Sequence, residues 1–213
     1  AFQGADKFER YLQRLNFDFI PPSESPFFTK KSPLLTEALF LRPTTIVDTL
    51  AMNDYFRART SQYVLDPQKA LQYIAAGLSK KPNPELSSLL FAAAAESYFD
   101  LDMLRLAKRS FSWSEMVSKS FTEKYPSIVF FGAEAAFWSG QFDTAEKGFE
   151  RFLQIAGDSE YSPYARLRLA EVLEHRGMRD SARSIYEYLV RNFDRHKVYK
   201  RSQVNLFCLD VEK

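Results

Sequence analysis

The chain has 213 residues, of which 46% are hydrophobic and 26% charged, a balance typical of globular proteins that excludes a disordered or collagen-like chain. Its 29 basic and 27 acidic residues leave a net charge of +2, so no global electrostatic field attracts it to nucleic acid or to an anionic membrane. With 7 Gly against 20 Phe and 11 Tyr, the composition favours long helices over a β-sandwich rich in tight turns.

The first fifty residues differ in character from the rest of the chain. A short amphipathic stripe comes first, formed by Phe8, Tyr11, Leu12 and Leu15. Four of the ten prolines then fall within 20–35, where they disfavour a helix. We predict that 1–50 forms an N-terminal helix and a Pro-rich extended arm that packs on the remainder of the chain. Phe27 and Phe28 are the candidate anchors of this arm, and a free linker is the alternative.

Beyond this segment, small and large residues recur at a fixed period. Two columns of alanine have spacings of 37, 38 and 37: Ala58, Ala95, Ala133 and Ala170 in one, and Ala70, Ala107, Ala145 and Ala182 in the other. A large residue follows each member of the second column by four positions, at Ile74, Phe111, Phe149 and Tyr186. Such a period is the signature of stacked repeats, and it divides the chain into units 51–87, 88–125, 126–162 and 163–199.

The first two units carry different helix signals. Asp66 and Pro67 mark the start of the second helix of the first unit, because aspartate caps free amides and proline suits the first helical position. In the second unit no glycine marks the turn, and the apolar pattern is lost at Ser114 and Glu115. Apolar spacing resumes up to Phe121, so we predict a longer second helix there.

The third and fourth units share one design. Gly140 and Gly177 fall between two amphipathic stripes, where glycine can adopt the left-handed conformation that ends a helix. Asp143 and Asp180 follow at the start of the second helices, where a carboxylate can cap free amides and favours the helix dipole. Each unit is therefore predicted to be two helices joined by a tight turn.

The last residues, 200–213, are predicted to form a C-terminal capping or truncated helix, because 204–209 is an apolar stretch. The chain begins at Ala1 and not at Met, so we expect that a signal segment or another leading stretch has been removed, and we treat both ends as cut. No run approaches the roughly 20 apolar residues of a membrane span.

The four units are predicted to form one continuous domain. A single helix pair leaves an apolar face that only the next pair can cover, so the pairs must stack to make a core. We therefore predict an all-α fold, an α-solenoid of about four stacked antiparallel helix pairs.

The units resemble the tetratricopeptide repeat (TPR) family. The matching features are a small residue in the middle of the first helix, a turn glycine with an aromatic residue after it, and a proline after the unit. They stand at Ala95, Ala133, Ala170, Gly140, Gly177, Phe142 and Pro82. The resemblance covers 51–199 and implies a right-handed superhelix, although the period of 37 or 38 exceeds the family's usual 34. The longer spacer at 157–165 is similar to that of bacterial envelope proteins associated with Tol-Pal and with outer-membrane assembly.

The resemblance also implies a concave surface lined by the first helices. The residues expected there, off the packing stripe, are Tyr55, Arg59, Tyr63, Glu96, Phe99, Asp100, Phe130, Glu134, Phe137, Trp138, Tyr164, Glu171, Glu174 and His175. Glu96, Glu134 and Glu171 repeat at 38 and 37, so we expect a carboxylate column beside an aromatic one. Such a groove could hold an extended peptide by ring contacts and by pairing with its Lys or Arg. The Lys, Asn and Arg set with which chaperone-binding members grip a C-terminal carboxylate is missing.

An alternative interpretation assigns no partner to this surface. In that case the glutamates are the solvated face of amphipathic helices, and the N-terminal arm covers some of the aromatic residues.

No catalytic or metal-binding set stands out in the sequence. His175 and His196 have no second histidine or cysteine at ligand spacing, and both are interpreted as surface side chains. There is no glycine-rich phosphate loop, and Cys208, the single cysteine, is interpreted as a small buried residue. The basic stretch at 191–201 could meet phosphates, but a solvated loop at a helix end is the favoured interpretation. We therefore expect no cofactor, no metal and no enzyme activity.

The leading hypothesis is a non-catalytic scaffold or peptide-binding module of a bacterial assembly. Its expected partner is another protein or an extended peptide with basic residues, and neither nucleic acid nor a small-molecule substrate is expected. The resemblance places it in the periplasm or cell envelope, with the cytoplasm as the alternative. The second hypothesis is a solenoid domain cut from a larger multidomain protein, such as an enzyme, that it positions.

Overall fold

A computed structural model of the chain describes residue 41 and residues 43–211, which form ten helices and no strand. The helices are α1 (Ile46–Tyr63), α2 (Pro67–Ser79), α3 (Pro84–Asp100), α4 (Leu104–Val117), α5 (Lys119–Lys124), α6 (Ser127–Trp138), α7 (Phe142–Ala156), α8 (Ser162–His175), α9 (Arg179–Asn192) and α10 (Lys197–Val211). The predicted N-terminal helix and the arm with Phe27 and Phe28 lie outside the described residues.

The helices pack in neighbouring pairs, as predicted for an all-α fold. Short turns join α1 to α2, α3 to α4, α6 to α7 and α8 to α9, and the two helices of each hairpin pack on each other. The second helix of each hairpin also packs on the next first helix, and α9 packs on α10 in the same way. Each hairpin therefore covers an apolar face of its neighbour.

The first helix begins before the predicted boundary at residue 51. Thr45 precedes α1 in an extended conformation, and its side chain accepts a hydrogen bond of 3.0 Å from the Asp48 amide. This is an N-cap, which stabilises the helix start. The helix thus begins at Ile46, five residues before the predicted start of the first unit at 51.

The alanine columns lie in the core. All eight alanines are at most 3% exposed, and so are the four large residues that follow the second column. Where α6 and α7 cross, the approach is so close that a Cβ on Gly148 would lie 2.7 Å from the Cβ of Ala133. Small residues recur in the sequence because helices cross at these points.

The turn inside each hairpin has the same backbone geometry, although only two of the four contain glycine. The residues with positive φ repeat at 37, 38 and 37, and they are Leu65 (60°), Asp102 (57°), Gly140 (74°) and Gly177 (79°). In each turn the next amide bonds back into the first helix, as from Met178 N to Leu173 O at 2.9 Å. The prediction for Gly140 and Gly177 is confirmed, and Leu65 and Asp102 adopt the same strained conformation without glycine.

The helix-start predictions have two outcomes. Asp66 caps α2 as predicted, since its side chain accepts a hydrogen bond of 3.0 Å from the Lys69 amide and Pro67 opens the helix. Asp143 and Asp180 lie in the first turns of α7 and α9, but no side chain caps the start of either helix. Their contribution is limited to a favourable position near the helix dipole.

The second hairpin departs from the prediction of a longer second helix. The chain breaks at Ser118, which has φ of −147° and ψ of 88°, and a separate short helix, α5, follows. Phe121 of α5 is buried, and α5 packs against both α3 and α6. Phe121 is thus part of the core, as its spacing suggested, but it lies on a separate short helix and not on an extension of α4. Ser114 is also buried. Its hydroxyl donates to the Ser88 carbonyl at 2.8 Å and the Ser88 hydroxyl donates to the Ser114 carbonyl at 2.9 Å, so both buried hydroxyls are satisfied.

Candidate functional site

The candidate site is the first-helix face, defined as the surface formed by α1, α3, α6 and α8. Three aromatic residues expected on it are instead in the core: Tyr55, Phe99 and Phe130 are at most 4% exposed. Tyr55 lies three residues before Ala58, and Phe130 lies three before Ala133. Residues three or four apart share one side of a helix, so these rings point the same way as the packing alanines. The prediction that these three residues lie on a partner-facing surface is therefore wrong.

The glutamate column exists, but its carboxylates are buried. Glu96, Glu134 and Glu171 are 6%, 2% and 6% exposed. Each bonds arginine of this chain: Glu96 pairs with Arg59 of the preceding hairpin, and Glu134 pairs with Arg168 of the following one. The expected column therefore pairs with arginines of the chain itself, and the alternative of a solvated helix face is wrong. A buried carboxylate needs a paired cation to offset its desolvation.

Arg168 of α8 is the centre of one buried charge network, formed with Glu134 and Glu171. Its Nε donates to Glu134 Oε1 at 3.0 Å, and its Nη1 donates to Glu171 Oε2 at 2.7 Å. The guanidinium also lies 4.8 Å from the Phe137 ring and 4.9 Å from the Trp138 ring, a cation–π arrangement. Phe137 and Trp138, two predicted groove residues, are thus half-buried and already hold a cation of the chain.

The network continues to the last described helix. Arg201 of α10 donates to Glu171 Oε1 at 3.1 Å, so Glu171 accepts from two arginines. Burial alone would raise the pKa of Glu171, but the charges of Arg168 and Arg201 and their hydrogen bonds lower it. Burial would likewise lower the pKa of Arg168, but the charges of Glu134 and Glu171 raise it. The carboxylate and the guanidinium are therefore both held in their charged forms.

A second buried cluster centres on Arg59 of α1, which pairs with Glu96 and also donates to Gln62 Oε1 at 2.7 Å. Gln62 in turn donates to the Ala93 carbonyl at 2.9 Å and to the Ser97 hydroxyl at 2.7 Å. These contacts tie α1 to α3 along the first-helix face. Asp100, at the end of α3, is more exposed and lies near both Glu96 and Arg59. Desolvation and the charge of Glu96 raise the pKa of Asp100 to about 7, although the charge of Arg59 opposes this shift.

Sequence reasoning missed Arg168 and Arg201. Arg168 lies three residues before Glu171, a spacing that puts two side chains side by side on a helix, so this pair was detectable. Arg201 lies 30 residues from Glu171, on another helix, and no local pattern points to it.

One row of predicted residues remains accessible. The last residues of the four first helices repeat at 37, 38 and 37, and they are Tyr63, Asp100, Trp138 and His175. Tyr63 is 65% exposed, Asp100 and His175 are exposed, and Trp138 is half-buried. We call these four side chains the terminal row. Of the two remaining predicted residues, both half-buried, Glu174 accepts a hydrogen bond of 2.8 Å from the Tyr186 hydroxyl, and the Tyr164 ring lies 4.8 Å from the His196 ring.

The remaining reactive side chains are the single cysteine and the two histidines. Cys208 is buried, as predicted. His175 is exposed and its ring lies 4.1 Å from Phe142, whereas His196 is half-buried, and burial with the charge of Lys197 lowers its pKa. Within residues 43–211, no group of three His, Cys, Asp or Glu side chains is arranged to hold a metal ion. The same range contains no helix both long and apolar enough to cross a membrane.

The chain matches no protein-family model, and it matches no sequence among the curated proteins. The resemblance to tetratricopeptide repeats therefore rests on the residues of the chain alone and stays a prediction.

Proposed function

We propose that the chain is a non-catalytic binding scaffold, a right-handed TPR-like solenoid that holds an extended protein segment along the terminal row. The observation that carries this proposal is the row itself. It presents an exposed phenol, carboxylate and imidazole, and a half-buried indole, at one position of four successive hairpins. An extended peptide is recognised by side-chain contacts at regular intervals, and a repeat with a fixed period supplies such intervals.

The charge of the proposed partner follows from what the network leaves accessible. The three glutamates are bonded to arginines of the chain, so an incoming Lys or Arg would have to displace a buried partner. Asp100 is exposed at the row, and Tyr63 lies at the equivalent position one hairpin earlier. A basic side chain of the partner would pair with Asp100 and lie against the face of Tyr63. We therefore keep the proposal of a basic partner but assign the contact to the row in place of the glutamate column.

The experiment is site-specific photocrosslinking in native cells. A photoreactive amino acid replaces Tyr63 or His175, and matched control variants carry it at Gln72 of α2 and Ser184 of α9, which are exposed on second helices. The proposal expects both row positions to crosslink one extended segment of one partner, and the control positions not to do so. Equal crosslinking from row and control positions would overturn it.

A second measurement tests the charge assignment. The crosslinked segment, made as a peptide, should bind the unmodified protein with its basic residue near Asp100. Asp100→Asn should weaken this binding about threefold to tenfold, as expected for one partly exposed charge pair. An exposed carboxylate on a second helix, Glu150, provides the control as Glu150→Gln, which should leave the affinity unchanged.

The compartment is proposed on the resemblance of the spacer at 157–165 to bacterial envelope proteins. Cell fractionation of the full-length protein in its native bacterium tests it, and recovery in the cytoplasmic fraction would overturn it.

A further inference from the structure

A cavity of about 220 Å³ opens between the second helices α4 and α7, with α6 as its floor. Gly132 and Gly148 contribute to its lining. Thirty-seven residues further on, the fourth unit has Leu169 and Ile185 at the equivalent positions, which are much larger. The third unit thus combines the smallest residues of the repeat at this place. The cavity is separate from the terminal row, which belongs to the ends of the first helices.

The polar lining of the cavity is cationic. Lys108 of α4 and both Lys147 and Arg151 of α7 line it, against one carboxylate, Glu115 of α4. Arg151 pairs with Glu115 through Nη1, and this pair joins α4 to α7. Neither lysine has an ion-pair partner within residues 43–211, so the lining carries a surplus of positive charge.

Arg151 also has an unsatisfied donor. Its Nη2 is buried and has no hydrogen-bond partner among the described residues. A buried N–H without an acceptor is costly, and a charged one more so, so the Arg151 side chain would gain a hydrogen bond by turning its Nη2 toward an anionic oxygen in the cavity. The hydroxyls of Ser112 and Thr144 line the same cavity and can donate as well.

The rest of the lining is apolar. Phe111, Ile128 and Val129 provide an aromatic and two branched aliphatic surfaces beside the glycines. An apolar cavity of about 150 Å³ accommodates benzene, so this one has room for a ring that carries a carboxylate. A fully hydrated anion such as phosphate would leave the apolar wall unused.

We propose that this cavity binds a small monocarboxylic acid with a compact aromatic or branched aliphatic body. The carboxylate lies between Lys108 and Lys147, where the Arg151 guanidinium can turn to offer its unsatisfied Nη2, and the apolar body lies against Phe111 and the two glycines. The observations that carry the proposal are the unpaired cations, the unsatisfied guanidinium nitrogen and the adjoining apolar wall.

The test is an NMR titration of the ¹⁵N-labelled full chain with benzoate, and with benzamide as its neutral isostere. Benzoate should cause saturable shifts in amides of α4, α6 and α7, and it should bind about tenfold or more tightly than benzamide, because the charge-assisted contacts are absent from the amide. Absence of saturable shifts, or equal binding of the two compounds, would overturn the proposal.

Variants separate the site from a general attraction of anions. Lys108→Gln and Lys147→Gln should each weaken benzoate about threefold to tenfold, and the double variant should weaken it further. Lys200→Gln removes an exposed lysine of α10 outside the cavity and should have no effect. A loss with Lys200→Gln as large as with Lys147→Gln would contradict a defined site. A peptide ending in phenylalanine serves as a further probe, and binding tighter than that of benzoate would overturn the assignment to a small free acid.

Discussion

Arg168 Nε on α8 donates a 3.0 Å hydrogen bond to Glu134 Oε1 on α6, and the side chains are 15% and 3% exposed. The contact joins the first helices of two neighbouring hairpins. Water is largely excluded from both groups, so each charge depends on the other for compensation. The partners of this face are therefore supplied by the chain itself, which reduces the role of its glutamates in binding another molecule.

Replacing Arg168 by Gln should destabilise the fold by about 3 kcal/mol, because it removes the cation paired with the buried Glu134 and leaves the buried Glu171 with Arg201 alone. Urea unfolding of the purified chain measures the change. Arg183→Gln is the matched control, since Arg183 pairs with the exposed Asp210 at 2.7 Å and such surface pairs contribute at most about 1 kcal/mol. Equal losses in the two variants would show that the buried network is not stabilising.

Substitutions at two of the turns should change the stability of the protein in opposite directions. Leu65→Gly should stabilise the protein by about 0.5–1 kcal/mol, since it relieves a leucine at φ of 60° whose side chain is 89% exposed. Gly177→Ala should destabilise it by about 1 kcal/mol, since an added Cβ meets nothing within 4 Å and only the backbone strain remains. Thermal unfolding of both variants provides the measurement. A loss of stability in Leu65→Gly would contradict the assigned backbone geometry.

Asp48 should make stability depend on acid pH. The Asn83 amide donates to its carboxylate at 2.8 Å and the Thr44 hydroxyl at 2.8 Å, and the first of these bonds is the main reason that the pKa of Asp48 lies well below its ordinary 3.8. A depressed pKa contributes stability above the unfolded value, which is lost as the pH falls below about 3.8. Asp48→Ala should therefore cost about 2 kcal/mol at pH 7 and less as the pH approaches 2. Urea unfolding across this range tests it, and a pH-independent difference would contradict the assigned charge.

Asp100 should lower the stability of the fold as the pH rises, which is the opposite of the effect of Asp48. Desolvation and the charge of Glu96 raise its pKa to about 7 in the folded chain, from the ordinary 3.8. The folded state therefore binds more protons than the unfolded state between about pH 4 and pH 7, and this residue lowers stability as the pH rises through that window. Asp100→Asn should have little effect on stability near pH 4 and increase it near pH 8. NMR titration of the Asp100 carboxyl carbon measures the pKa directly, and a value near 4 would refute the prediction.

Gly148→Ala should destabilise the crossing of α6 and α7 by about 2 kcal/mol, because its Cβ would lie 2.7 Å from the Cβ of Ala133. Ala133→Gly removes the opposing methyl group, so the double variant should recover part of the loss. A double-mutant cycle in urea measures the coupling of the two sites. Additive effects would show that the helices move apart and do not meet at these residues.

Several features of the fold were predictable because they are local or periodic. A close helix crossing requires a small residue wherever it recurs, so the alanine columns through Ala133 and Ala145 make the repeat visible in the sequence. Asp66 predicted a helix start and Gly177 a helix end, because capping and positive φ select particular residue types. Leu65 and Asp102 could not be identified this way. Packing of the hairpin imposes the turn on residues that do not prefer it.

The sequence by itself thus determined the all-helical character, the hairpin period and the buried columns. Only the tertiary structure decided that Glu96, Glu134 and Glu171 are buried and paired. Their periodic spacing is the same whether they face water, a partner or an arginine of the chain. Apart from Arg168, which lies three residues from Glu171, the deciding partners lie 30 to 37 residues away, as Arg201 and Arg59 do from their glutamates, and the burial of a charge depends on which groups neighbouring helices bring beside it.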